Sequence, residues 1–250
     1  MVVLESLTFK KYNMKIKLGN ITALIGPENS GKTTIFKLLS NKIKNDSVYL
    51  DKKRLNDYKI DFLRKNVMCV FELEDFNTLY VKEELAYFLK KLKVSDKEIS
   101  LRVSHITHYF HIEDIIDVKI ESLNVDEKAL IKILSFLIVS PLILGIDNLF
   151  GYISDEDVIN VIKYAKERNI ALIFATTDAE KIKYADEVHI INNFKSIRCG
   201  KVEEIYKDKI VRDLGLEKPF LNELNEYLHD YELTDKYFTT INEGVSALWK

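Results

Sequence analysis

An α/β fold with a central sheet that is largely parallel is the architecture this 250-residue chain predicts, and three observations predict it. Short apolar runs alternate with helical patterns along most of the length, the order expected when crossover helices link parallel strands. One of these runs, Ile21–Ile25, leads into residues 26–34, GPENSGKTT, which open a helical pattern; strand, glycine-bearing loop and helix thus follow one another. A later run, residues 142–146, ends on an acid, Asp147.

The elements follow in order. Residues 2–9 read as a strand, and Ile21–Ile25 is short, apolar and β-prone, as a buried strand should be. The loop fits G-x-x-x-x-G-K-S/T, with Gly26, Gly31, Lys32 and Thr33 at the fixed positions, Pro27, Glu28, Asn29 and Ser30 between them, and Thr34 next. In such a loop the backbone N–H groups point inward at phosphate oxygens, and the helix N-terminus adds partial positive charge. Lys32 is placed to reach the outer phosphates, and the Thr33 hydroxyl to ligate Mg²⁺. Asn29 stands where many such loops carry glycine; asparagine tolerates a left-handed backbone better than most residues. Residues 33–39 read as a helix start, and residues 67–71, 170–175 and 188–191 as further strands. From about 81 to 139 the pattern is mostly helical, a helical subdomain inserted between strands. The reading gives one phosphate-loop domain over residues 1–200 and a polar, helical C-terminal appendage over residues 201–250.

Composition sets bounds on function. Hydrophobic residues make up 47% of the chain, enough for a proper core, and charged residues 30%, enough for solubility. With 37 basic and 39 acidic residues the net charge is −2, so nothing points to nucleic acid as a partner. Two cysteines, Cys69 and Cys199, form no disulfide framework and fit a reducing, cytosolic setting. No leader pattern and no apolar run of membrane-spanning length is read from the sequence, so service to a membrane would run from its cytoplasmic side, through a partner.

Further residues carry a family resemblance. Asp147, closing an apolar strand, sits where phosphate-loop proteins hold Mg²⁺. Residues 63–72, LRKNVMCVFE, resemble the strand entering the Q-loop of ABC-type ATPases, and residues 80–87, YVKEELAY, the helix start that follows. Leu123, Asn124, Val125, Asp126 and Glu127 occupy the place of that family's LSGGQ signature. Glu127 lies 14 positions before Pro141, and Pro141 lies 6 before Asp147, both spacings of the family. Residues 175–178, ATTD, take the place of the strand end bearing the switch histidine, and residues 184–191, YADEVHII, resemble the next helix and strand. The chain is thus similar to an ABC-type ATPase subunit over nearly its whole length. Residues 211–220, VRDLGLEKPF, with Leu221, Leu224 and Leu228 and then residues 239–243, resemble the tail of the energy-coupling-factor ATPases. The resemblance implies ATP and Mg²⁺ as cofactors, and a vitamin or metal ion as transported cargo. It implies as partners a homologous ATPase, a transmembrane coupling subunit and a substrate-binding membrane subunit, with a peripheral place on the cytoplasmic side of the membrane.

Four positions depart from that family's catalytic set. Asn148 replaces the glutamate that polarises the attacking water, and an amide cannot accept a proton as a carboxylate does. Thr177 replaces the switch histidine. Glu72 replaces the Q-loop glutamine, placing a carboxylate within possible reach of Mg²⁺. Val125 and Asp126 replace two signature glycines; the valine resists close approach of backbone to nucleotide, and the aspartate repels phosphate. The expectation is a subunit that binds ATP with impaired hydrolysis and pairs with a catalytically intact homologue. A slow ATPase with a different base and a soluble scaffold or regulator are the competing expectations.

Lesser candidates keep two readings. The resemblance puts an adenine-stacking aromatic where Phe9 and Tyr12 fall; core packing accounts for Phe9 equally well, and the stacking role goes to Tyr12. His105, His108 and His111, spaced at three, read as a solvated helix in preference to a metal site. Asp155 and Glu156 suit either a dimer interface or the first turn of a helix.

Overall fold

A computed structural model describes residues 4–44, 46–72, 75–238 and 240–248. The N-terminal strand expected from residue 2 is described from residue 4 on, and β1 spans Ser6–Phe9; residues 2 and 3, like residue 239 of the tail motif, lie outside the described residues. β2 is Met14–Lys17, β3 Ile21–Ile25 and α1 Lys32–Leu39. β4 (Val48–Leu50), β5 (Lys53–Arg54), α2 (Ile60–Asn66) and β6 (Val67–Phe71) follow. Then come α3 (Val81–Lys91), α4 (Asp96–Tyr109), α5 (Val125–Leu137), β7 (Ile143–Asp147), α6 (Asp155–Glu167), β8 (Ala171–Ala175) and β9 (Glu187–Asn192). Among the described residues β10 (Lys195–Gly200) and four helices, α7 (Val202–Tyr206), α8 (Lys209–Asp213), α9 (Phe220–Asp230) and α10 (Ile241–Leu248), follow.

Two sheets form. One is antiparallel, in the order β2-β1-β4-β5; the other runs β10-β9-β3-β8-β7-β6, parallel throughout except for the β9–β10 hairpin. β3, β6, β7 and β8 are buried at every residue. Their side chains alternate between faces, and two cores result. Ile21, Ala23, Val70, Leu144 and Phe174 face one core, with α3, α5 and α6; Leu24, Cys69, Ile143 and Ile173 face the other, with α1 and the antiparallel sheet. The 81–139 stretch is helical, and its last helix, α5, packs against β6 and β7.

The strands that sequence patterning leaves out, β2, β4, β5 and β10, are short or exposed on one side. β10 alternates little apolar with polar and lies at a sheet edge, so neither burial signal marks it.

Candidate nucleotide-binding site

The site lies outside the C-terminal ends of the parallel strands. β3, in the middle of the sheet, leads into the loop at residues 26–31, and the chain then crosses to the far edge before returning through β6, β7 and β8. Such an edge is where open α/β sheets bind ligands. Register fixes the neighbours: Phe71 pairs with Asp147, and Asp147 with Ala175. Glu72, Asn148 and Thr176–Thr177 are therefore the first residues past three adjacent strand ends.

The loop is tightly built. A Cβ on Gly26, whose φ is +152°, would come within 2.0 Å of the Ile191 carbonyl oxygen, so only glycine fits. Asn29 adopts φ +58°, the left-handed conformation its place demands. Gly31 begins α1 at φ +108°. Lys32 folds its ammonium over the loop, donating to the carbonyls of Gly26 (2.7 Å) and Pro27 (2.8 Å) and to Ser30 Oγ (3.3 Å). Burial pulls the lysine pKa below its ordinary value, with Asp147 and Glu28 acting in the opposite sense. α1 presses closely on the sheet: a Cβ on Gly145 would meet Phe36 at 2.7 Å and Cys69 Sγ at 2.8 Å.

Asp147 is 8% exposed and takes a hydrogen bond from the Thr33 side chain. Burial raises its pKa; Glu72 adds to the rise and Lys32 counters it. Carboxylate and hydroxyl oxygens gathered beside a lysine and a helix N-terminus suit a hard divalent cation bridging phosphate oxygens, so Thr33 and Asp147 fit Mg²⁺ and residues 26–34 fit a nucleotide's phosphates.

The other half of the site is joined to itself. The Asn148 amide donates to Glu72 Oε2 at 2.6 Å, and its Oδ1 accepts from the Thr177 N–H at 3.3 Å. Tyr152 hydrogen-bonds the other Glu72 oxygen, and this bond raises the phenol's pKa. Asn148 holds φ +60°, another left-handed asparagine. Thr177 is exposed; its backbone, not its hydroxyl, makes the described contact. Asn77 and Thr78, ahead of α3, are fixed by Glu84, a 2%-exposed carboxylate that accepts from the Asn77 backbone (2.9 Å), Asn77 Nδ2 (2.9 Å) and Thr78 Oγ1 (3.0 Å).

Residues 123–127 start α5. Asn124 caps the helix: its Oδ1 accepts from the Glu127 N–H (2.8 Å), and Glu127 accepts from the Asn124 N–H (2.9 Å). Val125 is left 61% exposed, beside an exposed Asp126.

Tyr12 is not an open stacking face. It is 3% exposed, donates to the Gly31 carbonyl at 3.3 Å, and meets Phe9 and Phe194 edge-on. Phe194 is the half-exposed aromatic beside the loop; it turns the β9–β10 hairpin at φ +59°, and its N–H donates to the Ser30 carbonyl at 2.9 Å. Sequence reasoning missed Phe194, Tyr152 and Glu84, because nothing local marks them. His105, His108 and His111 do not converge on one point: His105 stacks on Tyr109, while His108 meets Glu113 Oε1 at 3.0 Å and, edge-on, the ring of His111, which lies past the end of α4. Asp155 and Glu156 are in the first turn of α6, capped by Ser154.

With this geometry in hand, the chain belongs to the ABC transporter family, whose sequence pattern matches residues 9–151. It shares 29% identity over 228 residues with a protein of Clostridium acetobutylicum assigned to the ATP-binding proteins of ABC transporters, covering 86% of this chain and 81% of that one. The energy-coupling factor transporter ATP-binding protein EcfA1 of Mycoplasmoides gallisepticum is 26% identical over 249 residues, with 90% and 89% covered. The cbiO1 structure from Clostridium perfringens, part of the ABC transporter complex cbiONQ, superposes with a TM-score of 0.74 over 90% of this chain and 100% of that one at 24% identity. The fold is that of an ABC-type ATPase, and the chain resembles the energy-coupling-factor members.

Proposed function

We propose that this chain is the ATP-binding subunit of an energy-coupling-factor-type uptake transporter, and that in a pair of such subunits it is the one whose own site does not hydrolyse ATP. Family membership and the complete phosphate cradle support the first half. The observation that carries the second is Asn148, whose amide donates to Glu72 where a water-activating carboxylate would stand.

The loop's backbone N–H groups, Pro27 aside, would hold the phosphates, Lys32 would balance the outer phosphate charge, and Thr33 and Asp147 would hold Mg²⁺. Bound ATP supplies the γ-phosphate whose hydrolysis would drive transport. An amide has no basic lone pair, so Asn148 takes no proton from water. Thr177 brings no imidazole. Residues 123–127 face the partner's nucleotide in such a pair, where Val125 holds backbone away and Asp126 repels phosphate. One site therefore keeps the partner's base and suffers this chain's poor signature. The other holds ATP on this chain's loop without cycling, and binding there stabilises the closed pair by linkage.

No helix among the described residues is long and apolar enough to cross a membrane, which fits a subunit acting through a transmembrane partner. A cleft of about 530 Å³ between α1–α2 and α3–α5, lined by Ile60, Leu63, Met68, Phe88 and Phe136, suits an apolar element of that coupling subunit. The cargo is a small molecule of the vitamin or metal-ion class.

One observation favours a second reading, a slow ATPase: Glu72 brings a carboxylate to within 2.6 Å of Asn148. The experiment is to purify the chain alone and with a catalytically intact homologue. Alone it should bind Mg·ATP with negligible turnover; in the pair, removing the partner's glutamate should abolish turnover and Asn148→Ala should not. Unchanged turnover without the partner's glutamate overturns the division of labour. Turnover by the isolated chain that Glu72→Gln abolishes establishes Glu72 as base. Recovery of no membrane partner from detergent extracts leaves the soluble scaffold.

A further inference from the structure

On the opposite side of the loop from Asn148, the β9–β10 hairpin carries three metal-ligating side chains on one face. Glu187 and His189 are two apart on β9, and Cys199 pairs with His189 across the ladder. Their ligand atoms all lie within 4.8 Å of one another, and they form the one such group of three among the described residues. We propose that Glu187, His189 and Cys199 form a zinc-class divalent metal site with a fourth position open to water. The proposal is independent of the transport reading.

The spacing carries the argument. With Zn–S near 2.3 Å and Zn–N and Zn–O near 2.0–2.2 Å, tetrahedral coordination sets ligand atoms about 3.3–3.6 Å apart. Cys199 Sγ lies 3.5 Å from His189 Nε2 and 3.0 Å from Glu187 Oε1, and His189 Nε2 lies 3.8 Å from Glu187 Oε2. With one carboxylate oxygen as ligand the three atoms lie within 4.8 Å of one another, and rotation of the Glu187 carboxylate closes the set around a metal.

Orientation is built in. His189 is 2% exposed, and its other ring nitrogen, Nδ1, is bonded to Ser196 Oγ at 2.9 Å. A donor role for Nδ1–H there leaves the Nε2 lone pair directed at the cysteine and glutamate, the outer-sphere arrangement that fixes a ligating imidazole. Cys199 is exposed and gives the metal a way in. One thiolate and one carboxylate neutralise a divalent charge, and a thiolate–imidazole–carboxylate set selects zinc over magnesium or calcium. Binding M²⁺ forms the M–S bond in place of the S–H bond and releases that proton to solvent. The metal would fasten edge strand β10 to β9, and the hairpin's turn already holds the Ser30 carbonyl of the phosphate loop through Phe194 N–H.

The test uses the full chain, stripped of metal by chelator and free of nucleotide and Mg²⁺, titrated with Co²⁺ and then Zn²⁺. One equivalent of Co²⁺ should produce a thiolate-to-cobalt charge-transfer band that Zn²⁺ displaces. Cys199→Ser, at an exposed position, should abolish the band. Ser196→Ala should weaken zinc affinity by about 10- to 100-fold. The chain's other cysteine, Cys69, is buried in the sheet core and offers no competing thiolate. Absence of the band, or its persistence in Cys199→Ser, overturns the site and leaves a hydrogen-bonded triad.

Discussion

The two halves of the nucleotide site are built to different standards. On the β3–α1 side every feature converges on a phosphate: glycine where the Ile191 carbonyl leaves no room for a Cβ, asparagine where the backbone turns left-handed, and a lysine held by three loop oxygens. On the side formed by the ends of β6, β7 and β8, the polar groups satisfy one another: Tyr152 to Glu72, Glu72 to Asn148, Asn148 to Thr177. The first side presents a cradle of backbone groups; the second is a chain of contacts in which the Glu72 carboxylate is already bonded by Tyr152 and Asn148. Under the proposed division of labour, binding and chemistry rest on different strand ends and can be separated by mutation. The largest expected effect tests that separation. The isolated chain should hydrolyse ATP ~10² to 10⁴ times more slowly than a homologue with its base intact. Asn148→Glu alone should recover only part of this, since a second carboxylate beside Glu72 repels it. Asn148→Glu with Glu72→Gln should recover more than the two single changes combined in a phosphate-release assay; an additive or smaller gain breaks the comparison.

The next effect belongs to the intact half. Lys32→Ala should weaken Mg·ATP binding by about 100-fold, the ~3 kcal/mol of a charge-assisted contact to phosphate, measured by calorimetric titration. Equal affinity in wild type and variant would place the nucleotide elsewhere.

These two halves were also unequally legible in the sequence. The cradle could be read residue by residue, because its motif is local and the Lys32 contacts span at most six positions. Asp147 was legible as the acid closing an apolar run, and the altered positions through the family resemblance and its spacings; the register of β6, β7 and β8 sets Glu72, Asn148 and Thr177 side by side. Long-range partners left no trace. Glu72 and Tyr152 are 80 positions apart, and Cys199 and His189 meet only because β10, a strand without an apolar pattern, folds back on β9. Tyr12 failed as a stacking face for the same reason: its cover, Phe194, comes from that hairpin. The LNVDE segment reads differently once its capping box is seen, since Asn124 and Glu127 are what a helix start asks for, whatever the segment has lost toward nucleotide.

Between the halves lies Gly145, which lets α1 seat on β7. Gly145→Ala drives a methyl into Phe36 and Cys69, an overpacking expected to cost about 1–3 kcal/mol and lower Tm in thermal unfolding. It should also weaken ATP binding more than it perturbs the Glu72–Asn148 pair, because α1 carries Lys32 and Thr33. Wild-type stability in the variant would mean that α1 is not held against the sheet as described.

The smallest effect lies beyond the altered half, at the start of α6. Asp155 meets the buried Lys181 ammonium at 2.5 Å and Lys183 at 3.1 Å, and its pKa is held at about 2, chiefly by the Lys181 hydrogen bond. An unfolded aspartate titrates near ~3.9. Because the folded value is the lower, the pair's contribution to stability is fully present above about pH 4 and is lost as pH falls through that range toward 2. The aspartate side chain is 50% exposed, so solvent screens the pair and the contribution at neutral pH is small. Lys181 keeps the Ile153 carbonyl at 3.0 Å when the carboxylate is gone, which limits the loss further. Asp155→Asn should therefore lower Tm by a degree or two at pH 7, on the order of a surface ion pair, and the gap to wild type should close between about pH 4 and the acid limit of folding. A gap that widens on acidification would reverse the sign of the linkage and show that Asp155 is protonated more readily in the folded chain than in the unfolded one.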